Sequence, residues 1–317
     1  MTGPAFLTPQ QIATRTARAV DAAVHAGRDL GLTVTDAEVL YDVFSVVVRL
    51  TPAPVVARVP TVLPRHADLA GLARRQRAEL AVARWLADRG VPVIAPSPLV
   101  APEPVHRDGF SMTFWEYVHP ATDREPDYVA NAGLVAGLHA ALRDYPGRLS
   151  FLSAAEPQFI DDGLAQLAER GDLLGPADLA RARREWQVLA PVVRSAEVFG
   201  ELFPGVVLQP LHGDCPAANI VPGVDVDLFA DFEMVTWGPV EWDLAGVGAA
   251  GVAAYDAAAR SAGGRQCDPA VLRFVDAVGM LRGVACLALA PQLPMLVDAV
   301  APMLDQWRST SPYPGSA

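Results

Sequence analysis

The stretch His212-Gly213-Asp214-Cys215-Pro216-Ala217-Ala218-Asn219 decides how this chain is read. It sets a carboxylate and a carboxamide five positions apart, after the apolar run Val206-Val207-Leu208. A second carboxylate follows at Asp231, in Phe229-Ala230-Asp231-Phe232-Glu233. Asp and Asn are common in turns, where their short side chains bond nearby backbone, so the spacing alone says little. The context says more: an intact His-Gly-Asp, apolar runs on both sides, and Gly238-Pro239-Val240-Glu241-Trp242-Asp243-Leu244-Ala245 shortly downstream. A carboxylate at Asp214 is suited to take the proton of an attacking hydroxyl. Asn219 offers a neutral oxygen and Asp231 an anionic one, a donor set for hard, octahedral Mg²⁺.

Upstream, residues 8–30 carry apolar and alanine positions at helical spacing and predict a helix that ends near Gly31. Ser45 to Leu50 and Val55 to Val59 are β-branched runs on either side of Thr51-Pro52-Ala53-Pro54, the pattern of an antiparallel hairpin. A helix is predicted from Ala67 to Arg89, closed by Gly90 and Pro92, and an aromatic, strand-prone run from Phe110 to Val118. Beyond residue 120 the pattern turns helical, over 128–143, 163–169 and 177–193, and again from Asp243 onward. The segment 206–231 is the exception, alternating short apolar runs with Gly, Pro and Asp. Strands with one long helix, followed by a mostly helical region, predict an α+β chain. Its expected parts are an N-terminal antiparallel β-sheet lobe over 1–115 and a larger, mainly helical lobe over 116–317.

With these motifs in place, the chain resembles the aminoglycoside phosphotransferase/choline kinase family, which has a bilobal protein-kinase-like fold. The resemblance rests on the His-Gly-Asp-x4-Asn loop at 212–219, the Asp-Phe-Glu at 231–233 and the Trp-Asp-Leu-Ala at 242–245. It implies Asp214 as catalytic base, Asn219 and Asp231 as metal ligands, and a buried Asp243 that braces the loop together with His212. In such a family a strand lysine grips the nucleotide phosphates and pairs with a helix glutamate. Here Val55-Val56-Ala57-Arg58 stands in that place, so the resemblance implies Arg58 as the cation and Glu79 as its partner. A guanidinium neutralises phosphate and binds it bidentately, though it is larger and shaped differently from an ammonium. The resemblance also puts the backbone of Trp115 and Tyr117 at the purine, and a turn at Tyr41-Asp42-Val43-Phe44-Ser45, without glycine, over the phosphates.

Composition narrows the function classes. The 317 residues are 51% hydrophobic and carry a net charge of −11, and all 25 basic residues are arginine. An acidic surface repels nucleic-acid phosphates and gives a cationic small molecule a slight preference. The three cysteines, Cys215, Cys267 and Cys286, are too scattered for a disulfide framework or a zinc site. The most apolar stretch, 283–304, is broken by Pro291, Pro294, Pro302 and Asp298 and predicts buried helices, not a membrane span. With no continuous apolar run at the N-terminus, a cytoplasmic protein is expected.

The function expected from these residues is transfer of phosphate from ATP or GTP, with Mg²⁺, to a hydroxyl of a small molecule: an antibiotic, an amino sugar, choline or another metabolite alcohol. Glu241, Asp161 and Asp162 are candidates to line the acceptor site; the two aspartates are equally candidates to cap the helix after them. The alternative is a catalytically weak, kinase-like binder, suggested by the missing lysine and the missing glycines upstream. Cys215 beside Asp214 is expected to be inert, and His139 to be a packed core or cap residue of its helix.

Overall fold

The structure, a computed structural model, describes residues 5–121 and 124–314. The chain divides into two compact units. One comprises Phe6–Arg124 with Val221–Glu233; the other comprises Glu125–Ile220 with the chain from Met234 onward.

The first unit is a sheet with two helices. Helix α1 (Pro9–Asp29) starts at Thr8, whose hydroxyl accepts from the Gln11 amide while the Gln11 side chain accepts from the Thr8 amide. This reciprocal pairing satisfies two orphan donors of the first turn. Five strands follow: β1 (Val34–Asp42), β2 (Ser45–Pro52), β3 (Val55–Pro60), β4 (Val105–Arg107) and β5 (Phe110–Glu116). They are antiparallel, in the order β1-β2-β3-β5-β4. The expected hairpin is β2–β3, in register from Ser45 opposite Pro60 to Leu50 opposite Val55. Helix α2 (Leu69–Ala87), capped by Asp68, runs between β3 and β4. The alanine face of α1 (Ala19, Ala22, Ala23, Ala26) packs on Val46, Val48, Leu50, Val55, Ala57 and Val59. Small residues let the helix lie close to the sheet, and a Cβ on Gly27 would stand 3.0 Å from the Leu50 Cδ1.

The second unit is mainly helical. Its helices are α3 (Tyr128–Leu142), α4 (Pro157–Leu167), α5 (Pro176–Arg194), α6 (Ala196–Leu202), α7 (Gly248–Ser261), α8 (Pro269–Cys286) and α9 (Leu296–Ser309). Helix α8 is central, packing against α4, α5 and α9, while α3 packs on α7. Strand β6 (Gln209–Leu211) pairs antiparallel with Thr236–Gly238. The apolar stretch 283–304 is divided among the end of α8, a 3-10 turn at Leu287–Leu289, and α9. Among the described residues no helix is long and apolar enough to cross a membrane.

The expected α+β class holds, with two departures in detail. Helix α4 begins at Pro157 instead of near Gly163, since proline is favoured at a first helical position. Gly163 is interior because α4 meets α8 there: a Cβ would lie 2.8 Å from the Ala285 Cβ and 3.1 Å from its carbonyl oxygen. Strand β1 and helix α6 have no counterpart in the sequence reading. β1 is an edge strand exposed along most of its length, so it lacks an apolar alternation; α6 is only seven residues long.

Leu50 is fully buried beneath α1, so Leu50→Ala should lower unfolding free energy by about 2–5 kcal/mol. The check is a urea titration in which the midpoint falls and the slope is unchanged.

Candidate active site

In the helical unit the loop after β6 is fixed through its backbone. Asp243, fully buried, accepts from the His212 amide at 3.0 Å and from the Gly213 amide at 2.7 Å. The Trp242 indole donates to the Gly213 carbonyl at 2.8 Å. His139 Nε2 is 2.9 Å from Asp243 Oδ2, the oxygen that also accepts from the His212 amide, and His139 Nδ1 is 2.9 Å from the Tyr255 hydroxyl. With Nε2–H donating to the carboxylate, Nδ1 is left to accept from the hydroxyl. A buried carboxylate would be costly alone; here both oxygens have donors. His139 is therefore more than a packed helix residue, since it carries the Asp243 carboxylate.

Gly213 has φ +92°, and a Cβ there would stand 1.8 Å from the Met234 carbonyl oxygen, so no other residue fits. His212 is fully buried, and its Nδ1 accepts from the Asp214 amide at 3.4 Å. The Asp214 side chain is 35% exposed. Asn219 returns to the loop, its Nδ2 donating to the Asp214 carbonyl at 2.6 Å, so its Oδ1 is the atom left for a ligand. Asn131 of α3 holds the Ala217 carbonyl at 2.9 Å. Burial, then the charges of Asp243 and Asp214, push the Cys215 thiol up to about 11, which keeps it protonated and inert near neutrality.

Arg282 of α8 was not found from sequence. Its Nη1 is 3.4 Å from Asp214 Oδ1, and its Nε and Nη2 are 3.2 and 3.1 Å from Glu156 Oε2. No motif marks either residue, because Arg282 and Glu156 lie 126 positions apart in the chain.

In the sheet unit, Arg58 on β3 gathers three carboxylates. Nη1 is 3.4 Å from Glu79 Oε1 on α2; Nη2 is 2.9 Å from Asp231 Oδ1 and 2.7 Å from Glu233 Oε2. The expected partner Glu79 is thus present, and Glu233 is an additional partner that the sequence reading passed over. α2 is anchored beside this cluster by Gln76, whose side chain donates to the Ser111 carbonyl of β5 at 3.2 Å. Asp231 sits at φ +62°, an uncommon conformation for a residue with a side chain. Burial pulls the Arg58 pKa down, but Asp231, Glu233 and Glu79 outweigh it and raise it well above the ordinary value. Glu79 is 1% exposed, and burial, reinforced by Asp231 and Glu233 against the pull of Arg58, raises its carboxyl to about 8. Its Oε2 makes no hydrogen bond among the described residues.

Several expected positions are corrected. The Tyr117 amide donates to the Pro54 carbonyl at 3.0 Å and the Glu116 amide to Ala95 at 3.0 Å, while Trp115 lies in the ladder opposite Val56. The backbone donors of Trp115 and Tyr117 are thus taken up by the sheet, and the Tyr117 ring lies 3.9 Å from the Arg49 guanidinium. The next amide, Val118, makes no hydrogen bond among the described residues. Glu241 is fully buried, with Arg265 on both oxygens at 2.6 Å and the Asp268 amide at 2.7 Å, so its carboxylate closes a loop instead of facing an acceptor. Asp161 and Asp162 are inside α4 and cap nothing. Asp161 accepts from the Trp186 indole at 2.7 Å and pairs with Arg194, which ties α4 to α5. Asp162 accepts from Gln158 at 2.8 Å, one turn back.

A carboxyl raised by folding keeps its proton at pH values where the unfolded chain has lost it. Its contribution to stability is therefore full below the ordinary carboxylate range and lost as pH rises toward the folded value. Wild type is expected to lose more thermal stability than Glu79→Gln between about pH 5 and about pH 8, because the carboxamide does not titrate. Melting curves of the two proteins that run parallel across that window would refute the assignment.

A sequence profile of the phosphotransferase enzyme family matches residues 35–275, which contain the loop 212–219, Arg58, Asp231 and Asp243. No curated protein matches the chain. Solved structures share its fold at low identity. An amicoumacin kinase in complex with AMP-PNP, Ca²⁺ and Ami is 14% identical, with a TM-score of 0.59 over 94% of this chain and 96% of that one. The choline kinase LicA of Streptococcus pneumoniae is 12% identical, with a TM-score of 0.58 over 90% and 99%. The aminoglycoside phosphotransferase APH(3'')-Id of Streptomyces rimosus is 17% identical, with a TM-score of 0.52 over 87% and 99%. The profile spans well over half of the chain and the fold is that of these kinases: the protein belongs to the phosphotransferase enzyme family.

Proposed function

We propose that this phosphotransferase moves the terminal phosphoryl group of ATP or GTP to a hydroxyl of a small molecule, with Asp214 as the base. The observation that carries the reading is the treatment of the Asp214 loop. Its backbone is clamped by Asp243 and Trp242, while the Asp214 carboxylate itself remains partly exposed. A fixed backbone under an accessible carboxylate suits positioning of an incoming hydroxyl, which is most of what phosphoryl transfer asks of a protein. In the reaction the acceptor oxygen forms a bond to phosphorus, the bond to the bridging oxygen of the nucleoside diphosphate breaks, and the hydroxyl proton passes to Asp214.

Mg²⁺ fits the residues available. Asn219 Oδ1 and the Asp231 carboxylate are hard oxygen donors, the kind that a small divalent cation takes. Among the described residues no three His, Cys, Asp or Glu side chains form a ready cage. That suits magnesium, which keeps waters and phosphate oxygens in its shell. When bound, it would neutralise charge on the phosphate oxygens. Arg58 would supply further positive charge to the phosphates, with Glu79 and Glu233 holding the guanidinium in place. At the purine, the Val118 amide is the donor left over by the sheet. Two neighbours support the ligand class: one was solved with GDP and kanamycin, another with ADP and spectinomycin. The acceptor here is accordingly a polar, hydroxyl-bearing small molecule, which the net charge of −11 lets be cationic. A reducing, cytoplasmic setting suits the three free thiols.

The test is release of ADP or GDP across a panel of aminoglycosides, amino sugars, choline and other alcohols. Asp214→Asn should reduce turnover by roughly 10²- to 10⁴-fold and leave Mg-nucleotide binding intact. Asp231→Ala should also lose the magnesium-dependent part of nucleotide binding. Wild-type turnover in both variants would overturn the assignment, and nucleotide binding without turnover on any acceptor would identify a binder.

A further inference from the structure

Three segments of the helical unit meet at the Arg282 guanidinium: α8, which carries it, the start of α4, and the catalytic loop. Its Nε and Nη2 are directed at Glu156, and its Nη1 at Asp214 Oδ1, 3.4 Å away. Glu156 holds an unusual backbone conformation, φ +48° and ψ +58°, between the 3-10 turn Ser153–Ala155 and Pro157. This left-handed region favours glycine, so a glutamate there is maintained against a local preference. The geometry is set from both sides. The Ile160 amide donates to the Glu156 carbonyl at 3.1 Å, and the Glu156 amide donates to the Ser153 carbonyl at 3.0 Å. Gly163 brings α4 against Ala285, three residues beyond Arg282 in α8. The side chains of Glu156 and Arg282 are 15% and 25% exposed, so the pair is only partly open to solvent.

We propose that Arg282, anchored by Glu156, is a positioning residue for Asp214: it takes one carboxylate oxygen and turns the other, Oδ2, toward the acceptor hydroxyl. The inference rests on the reading of Asp214 as the base. A guanidinium suits this task because its planar fork serves two carboxylates along different edges, whereas an ammonium is a point charge without that directional fork. Glu156 balances the arginine charge, so Arg282 orients Asp214 without leaving a surplus cation beside it. Neither residue touches the reacting atoms; both act through the carboxylate they orient.

The assay uses water as the acceptor, following release of ADP or GDP from the Mg-nucleotide by the full chain. Alongside it are measured the nucleotide dissociation constant and the melting midpoint. Arg282→Met keeps the aliphatic length and removes the fork. It should lower kcat by roughly 10- to 100-fold, with KM for nucleotide changed less than about two-fold. Methylguanidinium at a sub-denaturing concentration should restore part of the rate. Glu156→Gln should fall between this variant and wild type, and Arg282→Lys should recover part of the loss. Wild-type kcat in Arg282→Met overturns the inference. So does a loss that only tracks the folded fraction and does not respond to methylguanidinium. Should Arg282→Met not fold, Arg282→Lys and Glu156→Gln decide by the same split of kcat from KM. Asp214→Asn run in parallel separates the two readings. Activity in that variant removes the base assignment, whereas its inactivity beside a fully active Arg282→Met removes only the role given to Arg282.

Discussion

The buried carboxylate of Asp243 is the interaction on which the loop from His212 to Asn219 depends. A loop that must present a carboxylate cannot also hide its backbone in a sheet, so its amides need partners from elsewhere. Asp243 supplies both acceptors at once, for His212 and Gly213, and His139 with Tyr255 in turn completes its own bonding. The arrangement explains several residue choices that otherwise look unrelated. Gly213 is required because Met234 leaves no room for a Cβ. Trp242 contributes an indole N–H to the Gly213 carbonyl, to which the Asp243 carboxylate has no donor to offer. His139, in the middle of α3, links the loop to a helix whose other partner is α7. A network in which every buried polar group is satisfied rigidifies what it holds, and a missing member leaves an uncompensated charge.

The sheet unit solves a different problem with the same chemistry. Arg58 is bonded to both Asp231 and Glu233, and it also meets Glu79. The most buried of the three carboxylates, Glu79, has its carboxyl pushed up to about 8, chiefly by burial. An ion pair and a raised carboxyl are compatible here because burial and two neighbouring carboxylates together outweigh one guanidinium.

Much of this was legible in the sequence, and the parts that were not share a cause. The capping of α1 is local: Thr8 and Gln11 are three residues apart and announce the helix by themselves. The β2–β3 hairpin is local too, and Asp214, Asn219, Asp231 and Asp243 stand out because their spacing is a pattern along the chain. What escaped is set by packing between distant segments. Which amides at the end of β5 are already bonded depends on Pro54 and Ala95, both distant in the chain: Tyr117 donates to the first and Glu116 to the second. Glu241 looked like a candidate for the acceptor because an acid near a metal segment is conspicuous; only the fold shows Arg265 and the Asp268 amide already on it. The affiliation of Val221–Glu233 with the sheet has no sequence signature, since it is a matter of where a short segment packs.

The absence of lysine ties these observations together. With all 25 basic residues arginine, every Lys/Arg-type cation that meets a carboxylate is a planar fork. Arg58 reaches from β3 to α2 and to the segment after residue 220; Arg282 reaches from α8 to the start of α4 and to the Asp214 loop; Arg265 closes both oxygens of Glu241. In each case one side chain joins segments far apart in sequence by presenting separate N–H edges, which an ammonium on a flexible stem does less well. Were these arginines spread over the surface, the composition would say nothing about structure. They instead sit where carboxylates from two or three segments converge, so the guanidinium serves as cross-link as well as counter-charge, and exchanging it for lysine would preserve the charge while removing the geometry.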